Sequence, residues 1–129
     1  MENFDKIKFA AEEVSKNSYS PYSNFKVGAC IETENGELFT GTNVENMAFG
    51  STICAERGAV MKMISEAGPS SKIKSIAIYS PNSEVPCTPC GACLQVIREF
   101  ALTMDIPIIC GGTNGWETFK FNEMTPDKY

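Results

Sequence analysis

Apolar residues at Phe4, Ile7, Phe9 to Ala11 and Val14 recur at helical spacing and predict an amphipathic helix over Phe4–Asn17. "SYSPYSNF" sets Pro21 among Ser and Asn, a loop. Two extended segments follow, Phe25–Glu32 and Glu37–Thr42, joined by Glu34-Asn35-Gly36, in which Asn-Gly is a strong hairpin signal. "TNVENMAFGST" is a polar loop ending at Thr52, the expected N-cap of a helix over Ile53–Ala67 that Gly68-Pro69 closes. Lys74–Ser80 is apolar and β-branched, a strand, and "PNSEVPCTP" is the loop after it. A third helix is expected over Gly91–Leu102 and a short strand over Ile106–Cys110. Turns at Gly111-Gly112 and Asn114-Gly115 lead to a last strand over Glu117–Phe121. The order α-β-β-α-β-α-β-β predicts an α/β fold, one mixed sheet with helices on both faces. With no internal repeat or linker, residues 1–129 are expected to form a single domain.

The bulk composition narrows the function. A hydrophobic share of 43% and a charged share of 21% suit a globular chain, and 129 residues bury roughly two-thirds of their unfolded surface. The net charge of −5 argues against a nucleic-acid polymer as partner, because binding one needs an excess of Lys and Arg to neutralise phosphates. A small, weakly charged ligand is expected instead. "MENFDKIKFAAEEVSKN" lacks the apolar centre of a signal peptide, and no run is long enough to span a bilayer. The expectation is therefore a cytoplasmic protein with no membrane partner, whose thiols stay reduced. There, six cysteines point to metal or redox chemistry before disulfides, and the absence of any histidine limits metal ligands to sulfur and oxygen.

Several readings of the cysteines compete. Cys30 and Cys110 lie inside apolar strand patterns and are expected to pack as small hydrophobes. Cys90-x-x-Cys93 at a helix start is the arrangement of dithiol oxidoreductases, since a helix N-terminus lowers a thiol pKa. Cys54, Cys87, Cys90 and Cys93 could close a structural zinc site with four thiolates. In the fourth reading Cys54, in "STICAERGAV", also occupies a first helical turn, and a crossover through one strand brings it beside Cys90 and Cys93. Three thiolates then hold zinc and leave one tetrahedral position open, as a catalytic site requires. Arg57, one turn beyond Cys54, is placed to offset the thiolate charge, and Glu56 to move protons without ligating the metal.

"CAE" followed tens of residues later by "PCGAC" resembles the motif of the zinc-dependent nucleoside and base deaminases. "SPYSNFKVGA", "GTNVEN", "CAERGA", "PCGACLQV" and "NEMTPDKY" extend the likeness to the small cytidine deaminases, in chain order along nearly all 129 residues. The resemblance implies a three-layer α/β/α sandwich around a mixed five-stranded sheet and a homotetramer with shared active sites. It implies hydrolytic deamination of cytidine and deoxycytidine, a pyrimidine-salvage step. By the same resemblance Cys54, Cys90 and Cys93 are the ligands of one zinc ion per chain, Glu56 is the proton shuttle and Cys87 is no ligand. Phe25 packs on the base, Asn43 and Glu45 take the ribose 3′-hydroxyl, the Ala55 backbone reads the base edge, and Tyr129 closes a neighbouring subunit's pocket. The chain departs from the family at Leu94, where Arg is usual, at Phe49, where many members have Tyr, and at Tyr129, where the tail ends in Phe. These departures bear on the substrate, so a cytosine nucleoside antibiotic of the blasticidin S kind stays an alternative, as does a non-catalytic zinc module.

Overall fold

The computed structural model describes residues 4–124. Its elements are α1 (Asp5–Ser15), β1 (Gly28–Thr33), β2 (Leu38–Thr42), α2 (Ala55–Ala67), β3 (Ile73–Tyr79), α3 (Gly91–Phe100), β4 (Pro107–Gly112), β5 (Gly115–Lys120) and α4 (Phe121–Met124). A 3-10 turn at Phe49–Ser51 interrupts the loop before α2. The five strands form one mixed sheet in the order β2-β1-β3-β4-β5; β3 and β4 run parallel and every other neighbouring pair antiparallel.

Side chains alternate across a pleated strand, so each central strand feeds two cores. Ala29, Ile31, Ile76, Ile78, Ile108 and Cys110 face one way and pack with Ala59, Met63, Leu94 and Ile97 of α2 and α3. Cys30, Ala77 and Ile109 face the other way and meet Ile7 and Ala11 of α1. The three layers expected from the element order are those observed. Buried residues Ile7, Ala11 and Ser15 follow one stripe of α1, whereas Phe9 points outward.

Two glycines carry local consequences. Gly36 closes the β1–β2 hairpin at φ +85°, the left-handed region that glycine enters without a Cβ penalty. At Gly41 a Cβ would lie 2.3 Å from the Ala59 nitrogen and 2.5 Å from the Ala55 oxygen. The backbone of α2 therefore rests directly on β2, which fixes where that helix begins.

Several boundaries differ from the sequence expectation, each for an identifiable reason. β1 begins at Gly28 and not at Phe25, because side chains supply most of the hydrogen bonds of residues 25–27. Thr52 does not cap α2: its Oγ1 accepts from Asn46 N at 3.3 Å, and Cys54 takes the N-cap position with no side-chain cap. Gly111 and Gly112 lie within β4, paired with Trp116 and Gly115, and the turn falls at Thr113-Asn114. Phe121 leaves the last strand to start α4, where it is fully buried and donates its N–H to Ile106 O at 2.9 Å. Among the described residues no helix is long and apolar enough to cross a membrane.

Candidate metal centre and nucleoside pocket

α2 and α3 lie side by side on one face of the sheet, and both begin toward the same corner. Cys54 is the N-cap of α2 and Cys90 the N-cap of α3, with extended backbone and no side-chain cap at either. Cys93 enters one turn later and is fully buried. The three sulfurs lie within 4.8 Å of one another, and Cys90 and Cys93 Sγ are 3.6 Å apart. Zinc–sulfur bonds of about 2.3 Å place tetrahedral ligands roughly 3.8 Å apart, so the cluster has the dimensions of a zinc site. Both helix starts direct uncapped N–H groups and the positive end of the helix dipole toward it.

Charge at the cluster is balanced locally. Arg57 Nη2 donates to Cys54 Sγ at 3.6 Å and to Thr52 O at 3.3 Å. The Nε of the same guanidinium is buried and has no acceptor among the described residues, an orphaned donor on a side chain that already reaches the Cys54 sulfur. Hydrogen bonding from Cys93, then from Arg57, lowers the Cys54 thiol to about 5, and Cys93 rises correspondingly as the partner that keeps the proton. Leu94 turns into the hydrophobic core, leaving Arg57 as the cation at the thiols. An all-sulfur donor set, an orphaned guanidinium donor and two helix starts all fit a divalent soft-to-borderline cation.

Glu56 follows Cys54 by two residues and is only 5% exposed. Burial, with the negative charge of Cys54 adding, pushes its carboxyl up to about 7. A carboxyl that titrates near neutrality can both take and return a proton. It lines a cavity of about 220 Å³ together with Phe25, Asn43, Ala55, Cys54 and Cys90.

The cavity's outer wall is built unusually. Every backbone polar group from Phe25 N to Val27 O has a side-chain partner. Phe25 N donates to Ser23 Oγ, Lys26 N to Asn82 Oδ1 and Val27 N to Asn43 Oδ1, at 3.0, 2.8 and 2.9 Å. Phe25 O accepts from Asn43 Nδ2, Lys26 O from Ser80 Oγ and Val27 O from Thr42 Oγ1, at 2.8, 2.6 and 2.7 Å. The segment carrying Phe25 is thus held in a polar cradle. Asn43 spends most of its amide there, its Oδ1 also accepting from Ser18 Oγ at 2.5 Å, and among the described residues one of its N–H groups is unused.

Not every expected site residue converges on this cavity. Glu45 lines an adjoining one of about 200 Å³, with Tyr22, Ser23 and Phe49, and the two cavities meet at Thr52. Tyr129 lies outside the described residues. Cys87 lines the first cavity but stands apart from the three-sulfur cluster, and burial pushes its thiol up to about 12. The four-thiolate site is therefore not formed. Val27, Thr52 and Thr88 also line the pocket and were not anticipated. For Thr88 its place between Cys87 and Pro89 was the available signal. Cys30 and Cys110 are fully buried, and burial raises each thiol to about 12, as expected of packing residues.

Comparison with known proteins agrees with this geometry. The profile of the cytidine and deoxycytidylate deaminase zinc-binding region matches residues 1–110. A probable cytidine deaminase of Dictyostelium discoideum is 41% identical over 109 residues, 84% of this chain and 71% of that one. The cytidine deaminase of Sporosarcina psychrophila is 41% identical over 96 residues, 74% of this chain and 68% of that one. The crystal structure of a cytidine deaminase from Burkholderia pseudomallei superimposes with a TM-score of 0.89 at 32% identity, covering 99% of this chain and 100% of that one. The chain belongs to the cytidine and deoxycytidylate deaminase zinc-binding family.

Proposed function

We propose that this chain is a zinc-dependent hydrolase that converts cytidine and deoxycytidine to uridine and deoxyuridine and releases ammonia. The observation that carries the reading is the buried carboxyl of Glu56, held near neutrality in a cavity beside three convergent thiols. Cys54, Cys90 and Cys93 would hold one zinc ion, which when bound supplies Lewis-acid activation of a water molecule. Glu56 accepts a proton from the attacking water and delivers it to N3 of the base. It then carries the proton of the new C4 hydroxyl to the departing amine, so one carboxyl serves as base and acid and no histidine is needed.

Phe25 offers its ring to the base, and the Ala55 backbone, at the first position of α2, reads the base edge. The unused N–H of Asn43 and the remaining lone pair of Glu45 are complementary to a ribose hydroxyl, which both donates and accepts. Assembly as a homotetramer with shared active sites is part of the proposal. Exposed Met47 and Phe49, 85% and 89% accessible beside the second cavity, support an interface there. So is a cytoplasmic location, where the thiols stay reduced.

The test measures zinc per chain and ammonia released from cytidine on one preparation. One equivalent of zinc with turnover is expected. Zinc without ammonia returns the chain to a non-catalytic module, and ammonia only from a larger cytosine antibiotic shifts the substrate.

A further inference from the structure

We propose that Ser23 is a positioning residue that couples the ribose acceptor Glu45 to the base platform Phe25, and so sets the demand for a hydroxyl on the sugar. This rests on the reading of Glu45 and Phe25 just given.

The chain reaches this joint by a local turn. Asn24 adopts φ +57°, a left-handed conformation that Asn tolerates, and this turns Phe25 N–H back onto Ser23 Oγ at 3.0 Å. The Ser23 hydroxyl has one proton, and a carboxylate can only accept, so that proton goes to Glu45 Oε2. A single oxygen atom thus receives the Phe25 N–H and donates to the Glu45 carboxylate. The two residues lie 20 positions apart in sequence and line different cavities, and Ser23 Oγ is the atom they share.

The same turn decides how much of Glu45 remains free. Its Oε1 accepts from Tyr22 N and Ser23 N, both at 3.1 Å. With Ser23 Oγ on Oε2, three of the roughly four acceptor positions of a carboxylate are filled. Among the described residues one acceptor position on Oε2 is left, suited to a single hydroxyl donor. The Ser23 hydrogen bonds also hold the Glu45 carboxyl below its ordinary value, which keeps that position an acceptor. A sugar lacking the hydroxyl would leave the position unfilled once water is displaced, and the penalty would fall on the substrate that cannot donate.

Removing the Ser23 hydroxyl leaves both backbone donors to Oε1 in place, so the loop keeps its hold on Glu45 while Oε2 is freed to swing. The experiment compares kcat and KM for cytidine and 3′-deoxycytidine in the zinc-loaded wild type, Ser23→Ala and Ser23→Thr. Wild type should favour cytidine. Ser23→Ala should lose about tenfold in kcat/KM on cytidine, mostly through KM, the scale of one hydrogen bond to a charged group. On 3′-deoxycytidine it should lose only the roughly two- to fivefold that a looser Phe25 costs both substrates, so the preference between the two falls. Ser23→Thr keeps the hydroxyl and should restore the preference. Equal losses on both substrates, with zinc content unchanged, would reduce Ser23 to a structural residue and overturn the proposal while leaving the deaminase reading intact. A wild type that releases no ammonia from cytidine would overturn that reading and this inference together.

Discussion

The two sides of the pocket are held by different physics. On one side, Cys54, Cys90, Cys93 and Glu56 project from the starts of two helices packed against a central sheet, and α2 is seated on β2 through Gly41. On the other, Phe25, Asn43 and Glu45 sit on loops tied by side-chain hydrogen bonds from Ser18, Ser23, Ser80 and Asn82. The first side takes its precision from buried apolar packing, which tolerates no displacement without strain. The second takes it from polar contacts, several of them exposed, each contributing little net free energy because water competes. In the function proposed above, chemistry that moves protons over short distances falls on the rigid side, and recognition of a sugar, which must enter and leave, on the tied side.

The comparison predicts that substitutions on the rigid side change what the protein can do, and those on the tied side how well it binds. The largest effect is expected for Cys93→Ser or Cys90→Ser: zinc and activity should be lost together, as read by metal analysis and ammonia release. Cys87→Ser should keep both, since its sulfur stands outside the cluster. If all three variants lose zinc alike, the distinction between the cluster and the cavity wall fails.

Glu56→Gln comes next. It should retain zinc and lose roughly 10²–10⁴ in turnover, the range of general acid–base catalysis. Wild-type turnover in that variant would remove Glu56 from the mechanism. The same substitution has a stability counterpart in the metal-free chain. The folded-state pKa of Glu56, about 7, lies above its ordinary value of 4.5, so the folded state resists ionisation. Stability from this group is complete below pH 4.5 and declines until about pH 7, because the unfolded chain ionises first. The decline amounts to roughly 3 kcal/mol at about 1.4 kcal/mol per pKa unit. Denaturant titrations of apo wild type and apo Glu56→Gln from pH 4 to pH 8 should diverge by about that much, the variant losing less. Parallel curves would mean that water reaches the carboxyl.

How far the sequence disclosed each side follows from the same division. Cysteine spacing and the Cys-Ala-Glu triplet are local signals, so the convergence of Cys54, Cys90 and Cys93, with Glu56 and Arg57 beside them, was legible. The β1–β2 hairpin followed from the Asn-Gly turn at Gly36, whereas the order of the five strands was not read from the sequence. The cradle was not legible. Asn82 and Lys26 are 56 positions apart and Ser18 and Asn43 are 25 apart, and hydroxyls and amides in loops carry no periodicity that marks their partners. For that reason residues 25–27 read as the start of β1, and Thr52 read as a cap although its hydroxyl serves Asn46.

The smallest expected effect tests the tied side alone. Asn82 lies in the loop after β3 and accepts the Lys26 N–H at 2.8 Å, while its own N–H goes to Ser80 Oγ at 3.2 Å. Asn82→Ala removes the first contact only: Ser80 is fully buried and keeps its bond to Lys26 O. Water can replace the lost partner because the contact is exposed, so the stability cost should stay near the low end of about 0.5–1.5 kcal/mol. Phe25 then has more freedom next to a peptide held at one end, and ordering it on binding should raise KM for cytidine about two- to fivefold. Zinc content and kcat should not move, because nothing in the contact reaches the helix starts. A fall in kcat with KM unchanged, or a loss of zinc, would show that the two sides of the pocket are mechanically one.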